Sequence, residues 1–279
     1  MRIFRLSILF VFLILTVPAF AQKLTAEEIV AKHLDSIGTK EKRDAVKNRL
    51  AAGTSQFESK LPNKKTAGKA VIVSEGNNLF FVASFNSNEY PFEKIGFFGN
   101  KINLPYVTAG TRSPLGAFIN DHSKILSEGI LTGSISSTWA VANPSLRKGK
   151  LDYAGKKKVD GREAYILNYF PDGTAGKFTI RLFFDAATFR HFRTEYFDEI
   201  PPASQPFGAL GTQTGVKIEM NETFDDFKDT EGLTLSYSYK IKYKTDSNSG
   251  TYEYTWGITF SKYLFNQKLD ANFFNFDEK

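Results

Sequence analysis

The sequence predicts a mainly β, α+β protein: a curved antiparallel sheet forming a half-barrel, covered by an N-terminal helix and an internal helical lid. Three observations predict it. Phenylalanine and tyrosine number 27 and 12 against two methionines in 279 residues, a balance that favours strands over helical bundles. Near the end of the chain, Tyr237, Tyr239, Ile241 and Tyr243 alternate with Ser238, Lys240, Lys242 and Lys244, and Tyr254, Trp256 and Ile258 alternate with Thr255, Gly257 and Thr259. Successive side chains of a strand point to opposite faces, so each strand has a wet face and an aromatic one, as in an antiparallel sheet with one side in water. The third observation is the exception to alternation, Ser113 to Val141. Ser113-Pro114 pairs a capping residue with proline at the first helical position, and Leu115, Phe118, Ile119, His122, Ile125 and Leu126 recur at three- and four-residue spacing. Gly129 and Gly133 are where this helix is expected to stop or kink.

Taken in order, residues 1–21 read as an export signal. Arg2 and Arg5 precede an apolar run from Leu6 to Val17, and Ala19-Phe20-Ala21 gives a small-x-small ending, with cleavage expected before Gln22. The run is shorter than the ~20 residues of a membrane span. Residues 22–279 are expected to form a single domain, because no Pro/Ser-rich linker divides them. With no cysteine in the chain, a lipid anchor at the cleavage point and disulfide staples are both excluded, so packing must hold the fold. Thr25 and Glu28 form a capping box for a first helix whose apolar side is Ile29, Val30, His33, Leu34 and Ile37, ending at Gly38.

Strands are expected over 49–57, 68–74, 78–85, 91–98 and 102–107, separated by Pro, Gly and Asn turns. Beyond the helical stretch come 150–159 and 163–169, joined by the hairpin signal Asp160-Gly161, then 178–185 and 190–200. A Pro/Gly-rich loop over 201–215 leads to 216–227, 233–244 and 251–264. A twisted sheet of this many strands should curl, with its aromatic face concave. Two short helices offer less apolar stripe than that face presents, so side chains or a ligand must fill the rest. The expected lining is Leu115, Phe118, Ile119, Ile125 and Leu126 from the cover. The sheet is expected to add Ile180, Leu182, Tyr237, Tyr239, Ile241, Tyr254, Trp256 and Ile258.

No catalytic constellation stands out. The chain has no nucleophile elbow and no cysteine nucleophile, and His33, His122 and His191 lack the spacing of a metal pair. His33 and His122 lie on helical stripes and read as core or boundary residues; His191, between Arg190 and Arg193, reads as surface. Asp225, Asp226, Asp229 and Glu231 resemble calcium ligands, but Phe227 interrupts them and a charged hairpin turn explains them. Gly208, Gly211 and Gly215 lack the spacing of a phosphate cradle. Asn221-Glu222-Thr223 fits a glycosylation acceptor, a tripeptide common by chance. The expectation is a non-enzyme without cofactor or metal. The pI near 9.2 reflects lysines spread over 40–47, 60–69 and 148–158 without an aromatic platform, which excludes a nucleic-acid groove.

Several segments carry a resemblance to a known family. They are Leu24 to Leu34 with Gly38, Gly155 to Tyr165, Leu182 to Phe189, Phe227 to Leu233, and Phe265 to Asp270 before Phe273. In order and spacing the chain resembles the outer-membrane lipoprotein-sorting proteins, LolA and its relatives. The resemblance implies a half-barrel closed by helices around an apolar cavity for acyl chains. It further implies a monomeric periplasmic carrier or chaperone of a lipid or lipidated protein, working with a membrane-bound donor or acceptor. The alternative is an envelope sensor or scaffold with a filled interior that binds proteins. The family's latch arginine, from an Arg-Pro pair entering an early strand, has Gly76-Asn77 in its place here, so the latch is expected to be missing.

Overall fold

A computed structural model describes residues 24–143, 148–173, 178–201 and 215–275. The proposed export signal, and Gly208 and Gly211 of the long loop, lie outside these residues.

The first helix, α1 (Ala26–Ile37), begins at the Thr25–Glu28 capping box and stops at Gly38, as the sequence indicates. A second, α2 (Lys40–Ala45), follows with Thr39 as its cap; the sequence carries no apolar stripe for it, because five of its six residues are polar and none is buried. Twelve strands follow: β1 (Asn48–Lys60), β2 (Asn63–Glu75), β3 (Asn78–Ser84), β4 (Phe92–Phe98), β5 (Lys101–Asn103), β6 (Lys150–Val159), β7 (Arg162–Phe170), β8 (Thr179–Asp185), β9 (His191–Ile200), β10 (Val216–Thr230), β11 (Leu233–Ser247) and β12 (Gly250–Phe265). They form one curved, unclosed sheet in the order β5-β4-β3-β2-β1-β12-β11-β10-β9-β8-β7-β6. Every neighbouring pair is antiparallel. This is the curved half-barrel that the alternation implied. Asp160 and Gly161 both have positive φ, as the expected two-residue hairpin between β6 and β7 requires.

That strand order explains the cover. The chain leaves the sheet at one edge, β5, and re-enters at the opposite edge, β6. The connection between these edges must therefore cross the full width of the sheet, and the apolar side chains of 115–141 settle on its concave face. This connection holds α3 (Pro114–Asp121), α4 (Lys124–Ser127) and a single 3₁₀ turn (Gly133–Ile135). One continuous core joins it to both halves of the sheet and to α1. A small separate cluster, Ala164, Ile166, Phe183 and Phe192, packs on the other face.

The cover differs from expectation in being less helical. The chain leaves helical geometry at His122, whose imidazole stacks on Phe178 with centroids 4.0 Å apart and lies 3.2 Å from Asp198. From Gly129 onward the segment is mostly irregular. Its side chains supply the cover that the two helices lack: Ile130, Leu131, Ile135, Trp139 and Val141 are all buried. Both glycines are close-approach points. A Cβ on Gly129 would sit 1.9 Å from the carbonyl oxygen of Thr138, and one on Gly133 would sit 3.0 Å from His191 and from Phe224. Their positive φ values favour glycine on backbone grounds as well.

Candidate functional site: the concave face and its covering segment

Inward-pointing residues of every long strand converge beneath the segment 113–141. From the cover, Leu115, Phe118, Ile119, Ile125 and Leu126 are all buried. From the sheet, Ile180, Leu182, Tyr239, Ile241, Trp256 and Ile258 are buried in the same core. Tyr237 and Tyr254 are only half-buried and pack at its margin. Sheet and cover meet ring to ring, with Phe118 edge-on to Tyr243 at 5.7 Å and to Tyr196 at 6.3 Å. Four hollows open elsewhere, with volumes of about 490, 520, 360 and 780 Å³, and of the thirteen expected lining residues only Tyr254 borders any of them. In this form the covering segment itself fills the concavity.

Four buried polar groups hold the segment there. Glu222 on β10 shares its face with Met220 and Phe224 and is fully buried. Its carboxylate accepts hydrogen bonds from the hydroxyls of Tyr196 (2.5 Å) and Tyr239 (2.6 Å) and from the backbone N–H of Thr132 (2.8 Å). Burial outweighs these three donors and pushes the carboxyl up to about 7. Thr132 itself has φ +68, a conformation costly for a β-branched residue, and its bond to Glu222 helps to hold it. Glu93 on β4, also pushed up to about 7 by burial, accepts from the Tyr90 hydroxyl and from the Ser113 Oγ (2.9 Å) that caps α3. Glu128, after α4, accepts from the Tyr169 hydroxyl and from the Asp172 N–H at 2.9 Å.

The fourth is Arg49, on the inward face of β1 with Ala51 and Phe57. Its Nη1 donates to the carbonyl oxygens of Ser134, Ile135 (3.3 Å) and Ser136 (3.5 Å). Burial lowers the guanidinium to about 10, still charged at neutral pH. No arginine stands at the Gly76-Asn77 turn. The covering segment is clasped instead by Arg49, from β1.

His33 is satisfied in the core, as expected. Trp139 Nε1 donates to its Nε2 at 3.1 Å, so the ring proton sits on Nδ1 and is donated to the Phe189 carbonyl at 3.0 Å. Burial lowers this histidine to about 4. His191 is not on the surface. It is buried between Trp139, with centroids at 4.8 Å, and Phe224, also at 4.8 Å, and its Nε2 lies 2.9 Å from the Thr194 hydroxyl. The register of β8 against β9 shifts at Phe183/Phe184, and this turns His191 inward while the flanking arginines stay nearer the solvent. The acidic cluster lies within the strand and its turn: Asp225 pairs with Arg162 and Asp226 with Lys228.

No protein-family model matches the sequence, and no curated protein matches it. Solved structures similar to this chain include a LolA superfamily protein from Nitrosomonas europaea, at 14% identity and a TM-score of 0.49, covering 90% of this chain and 98% of that one. A DUF1329 family protein from Desulfovibrio piger is 10% identical with a TM-score of 0.47, covering 89% of this chain and 96% of its own. A putative outer membrane lipoprotein-sorting protein domain from Vibrio parahaemolyticus is 12% identical with a TM-score of 0.43, covering 88% of this chain and 97% of that one. At these identities and scores, what the chain binds has to be read from its own residues.

Proposed function

We propose that the protein is an exported, periplasmic, non-enzymatic carrier that takes a hydrophobic ligand, a lipid or the acyl chains of a lipidated protein, into its concave face. One observation carries this reading. The aromatic concavity is filled by a mostly irregular connection of the same chain, whose apolar side chains occupy the place a hydrocarbon would take. The second half of that connection is clasped by side chain to backbone, from Arg49 and Glu222, in contacts able to release without disturbing the twelve-stranded ladder. A hydrocarbon chain needs no polar partner, since each buried CH₂ is worth about 0.8 kcal/mol.

A second reading rests on the tightness of that same packing. Eleven of the thirteen expected lining residues are buried in the core, which suits an envelope scaffold that stays closed and offers its rim to proteins. One experiment separates the two. The Ser137 N–H donates to the Ser74 Oγ at 2.8 Å, so cysteines at these two positions would pin the segment to β2, in a chain with no other cysteine. The carrier reading expects native protein to take up a dansyl-labelled fatty acid, the oxidised Ser74→Cys/Ser137→Cys variant to refuse it, and reduction to restore uptake. Absence of uptake by the native protein, or equal uptake by the oxidised variant, would discard the carrier and leave the scaffold.

A further inference from the structure

The hollow of about 520 Å³ between α1, α2 and the segment 134–143 has a composition the concave core lacks. Four cations border it, Lys40, Arg43, Lys47 and Arg49, against the single carboxylate of Asp44. Asp44 is already paired with Lys40 and is held below the usual carboxylate range by that contact and by the neighbouring positive charges. The hydrogen-bond partners of Arg43, Lys47 and Arg49 are backbone carbonyls: those of Leu34 and Gly38 for Arg43, of Asp44 for Lys47, and of 134–136 for Arg49. Carbonyls satisfy the donors, and the single carboxylate of Asp44 is left to balance four positive charges.

Two polar atoms in the wall are also without a hydrogen-bond partner among the described residues, Arg49 Nε and Ser137 Oγ. Arg49 is 7% exposed, so its charge is held in a poorly solvated place. The rest of the wall is mixed: Leu34, Ile37, Val46, Ala142 and the buried Trp139 make an apolar part, and Gly76, Ser134, Ser136, Ser137 and Asn143 complete it. A volume in this range, with an apolar part beside convergent polar groups, is large enough for a small molecule. A bare inorganic anion would leave the apolar wall unused, and a neutral hydrocarbon would leave the charges unmatched.

We propose that this hollow binds a small anionic amphiphile. Its phosphate or carboxylate sits among Lys40, Lys47 and Arg49, and its hydrocarbon lies on Leu34, Ile37 and Trp139. None of the residues expected to line the concave face borders the hollow, so the proposal stands apart from the carrier reading. Such a ligand would reach the charge that clasps the carbonyls of 134–136.

The test uses the full chain and calorimetric titration at fixed ionic strength with octyl phosphate, octyltrimethylammonium and inorganic phosphate. Octyl phosphate is expected to bind at one site, at least about tenfold tighter than inorganic phosphate, and to shift the indole N–H resonance of Trp139. The Lys40→Glu/Lys47→Glu variant, altered at two exposed positions, should weaken it by about tenfold or more while its far-ultraviolet circular dichroism stays native. Equal binding of octyltrimethylammonium, equal affinity for inorganic phosphate, or an unchanged constant in the double variant would each overturn the proposal.

Discussion

The covering segment has two halves that are held down in different ways. Residues 113–131 lie on the sheet mainly through apolar side chains, with Leu115, Phe118, Ile119, Ile125 and Leu126 almost without exposure, and polar contacts of Ser113 and Glu128 near the two ends. Residues 132–141 are held by directed polar contacts: the Thr132 N–H on Glu222, the 134–136 carbonyls on Arg49, the Ser137 N–H on Ser74 and the Trp139 indole on His33. An apolar grip is spread over many contacts, indifferent to pH and hard to release by one change. A polar grip in a dry place rests on single groups, depends on their ionisation, and fails locally when one is removed. The second half is therefore the part able to let go first.

The largest effect should come from the first half. Phe118→Ala is expected to cost about 3–5 kcal/mol, the range for truncating a buried phenylalanine, with the same loss at pH 5 and pH 8. Urea unfolding at the two pH values checks it; a loss that changes with pH would mean this half also leans on an ionised group.

Removing the arginine clasp comes next. Arg49→Met keeps most of the side-chain bulk but strands the carbonyls of Ser134 and its neighbours, costing about 2–3 kcal/mol. Amide exchange should speed up over 132–141 and stay native over 115–126. Uniform acceleration across both halves would erase the distinction drawn between them.

The carboxyl of Glu222 gives the comparison a pH axis. Its ordinary value near 4.5 is raised to about 7 by burial, so between these values the folded protein keeps a proton that the unfolded chain releases. Stability from this group is full below about 4.5 and is lost as pH rises to about 7, by an amount on the order of 3 kcal/mol. His33 opposes it. Lowered from 6.5 to about 4, it contributes stability that disappears as pH falls through that window. The native curve sums these trends, with Glu93 adding to the first and His191 to the second. Glu222→Gln isolates one of them: its stability relative to native should improve steadily from pH 5 to pH 7.5 in parallel urea titrations. A flat difference would show that the three donors keep Glu222 ionised throughout.

Much of this fold was legible in the sequence because alternation is a local signal. Tyr239, Ile241, Trp256 and Ile258 could be assigned to the inner face without knowing their neighbours. The clasps were harder to see, because a buried charge is defined by what surrounds it. Glu222 does sit in phase with Met220 and Phe224, and Glu93 with Ile95 and Phe97, so a carboxylate on an apolar face was available as a clue. Arg49 likewise keeps phase with Ala51 and Phe57. Their partners lie dozens of residues away on the cover, and no spacing rule reaches that far. His191 escaped for another reason: a register shift in β8 and β9 reverses which side faces in, and a bulge leaves little trace in composition.

The smallest effect should be at the joint between α3 and α4, where His122 lies 3.2 Å from Asp198. Both side chains keep some contact with water, at 14% and 18% exposure, so the pair is screened and worth little. Burial lowers the imidazole more strongly than Asp198 and Asp121 raise it, so at neutral pH the ring is mostly uncharged and acts as a hydrogen-bonded plate stacked on Phe178. His122→Phe keeps the plate and removes the titration. Its cost should be within about 1 kcal/mol at pH 7.5. Because the folded imidazole resists protonation, native protein should lose more stability than the variant as pH falls below the ordinary histidine value, so the difference should shift in the variant's favour in acid. A variant that instead falls further behind in acid would mean that the charged His122–Asp198 pair, rather than the stacked ring, holds this joint.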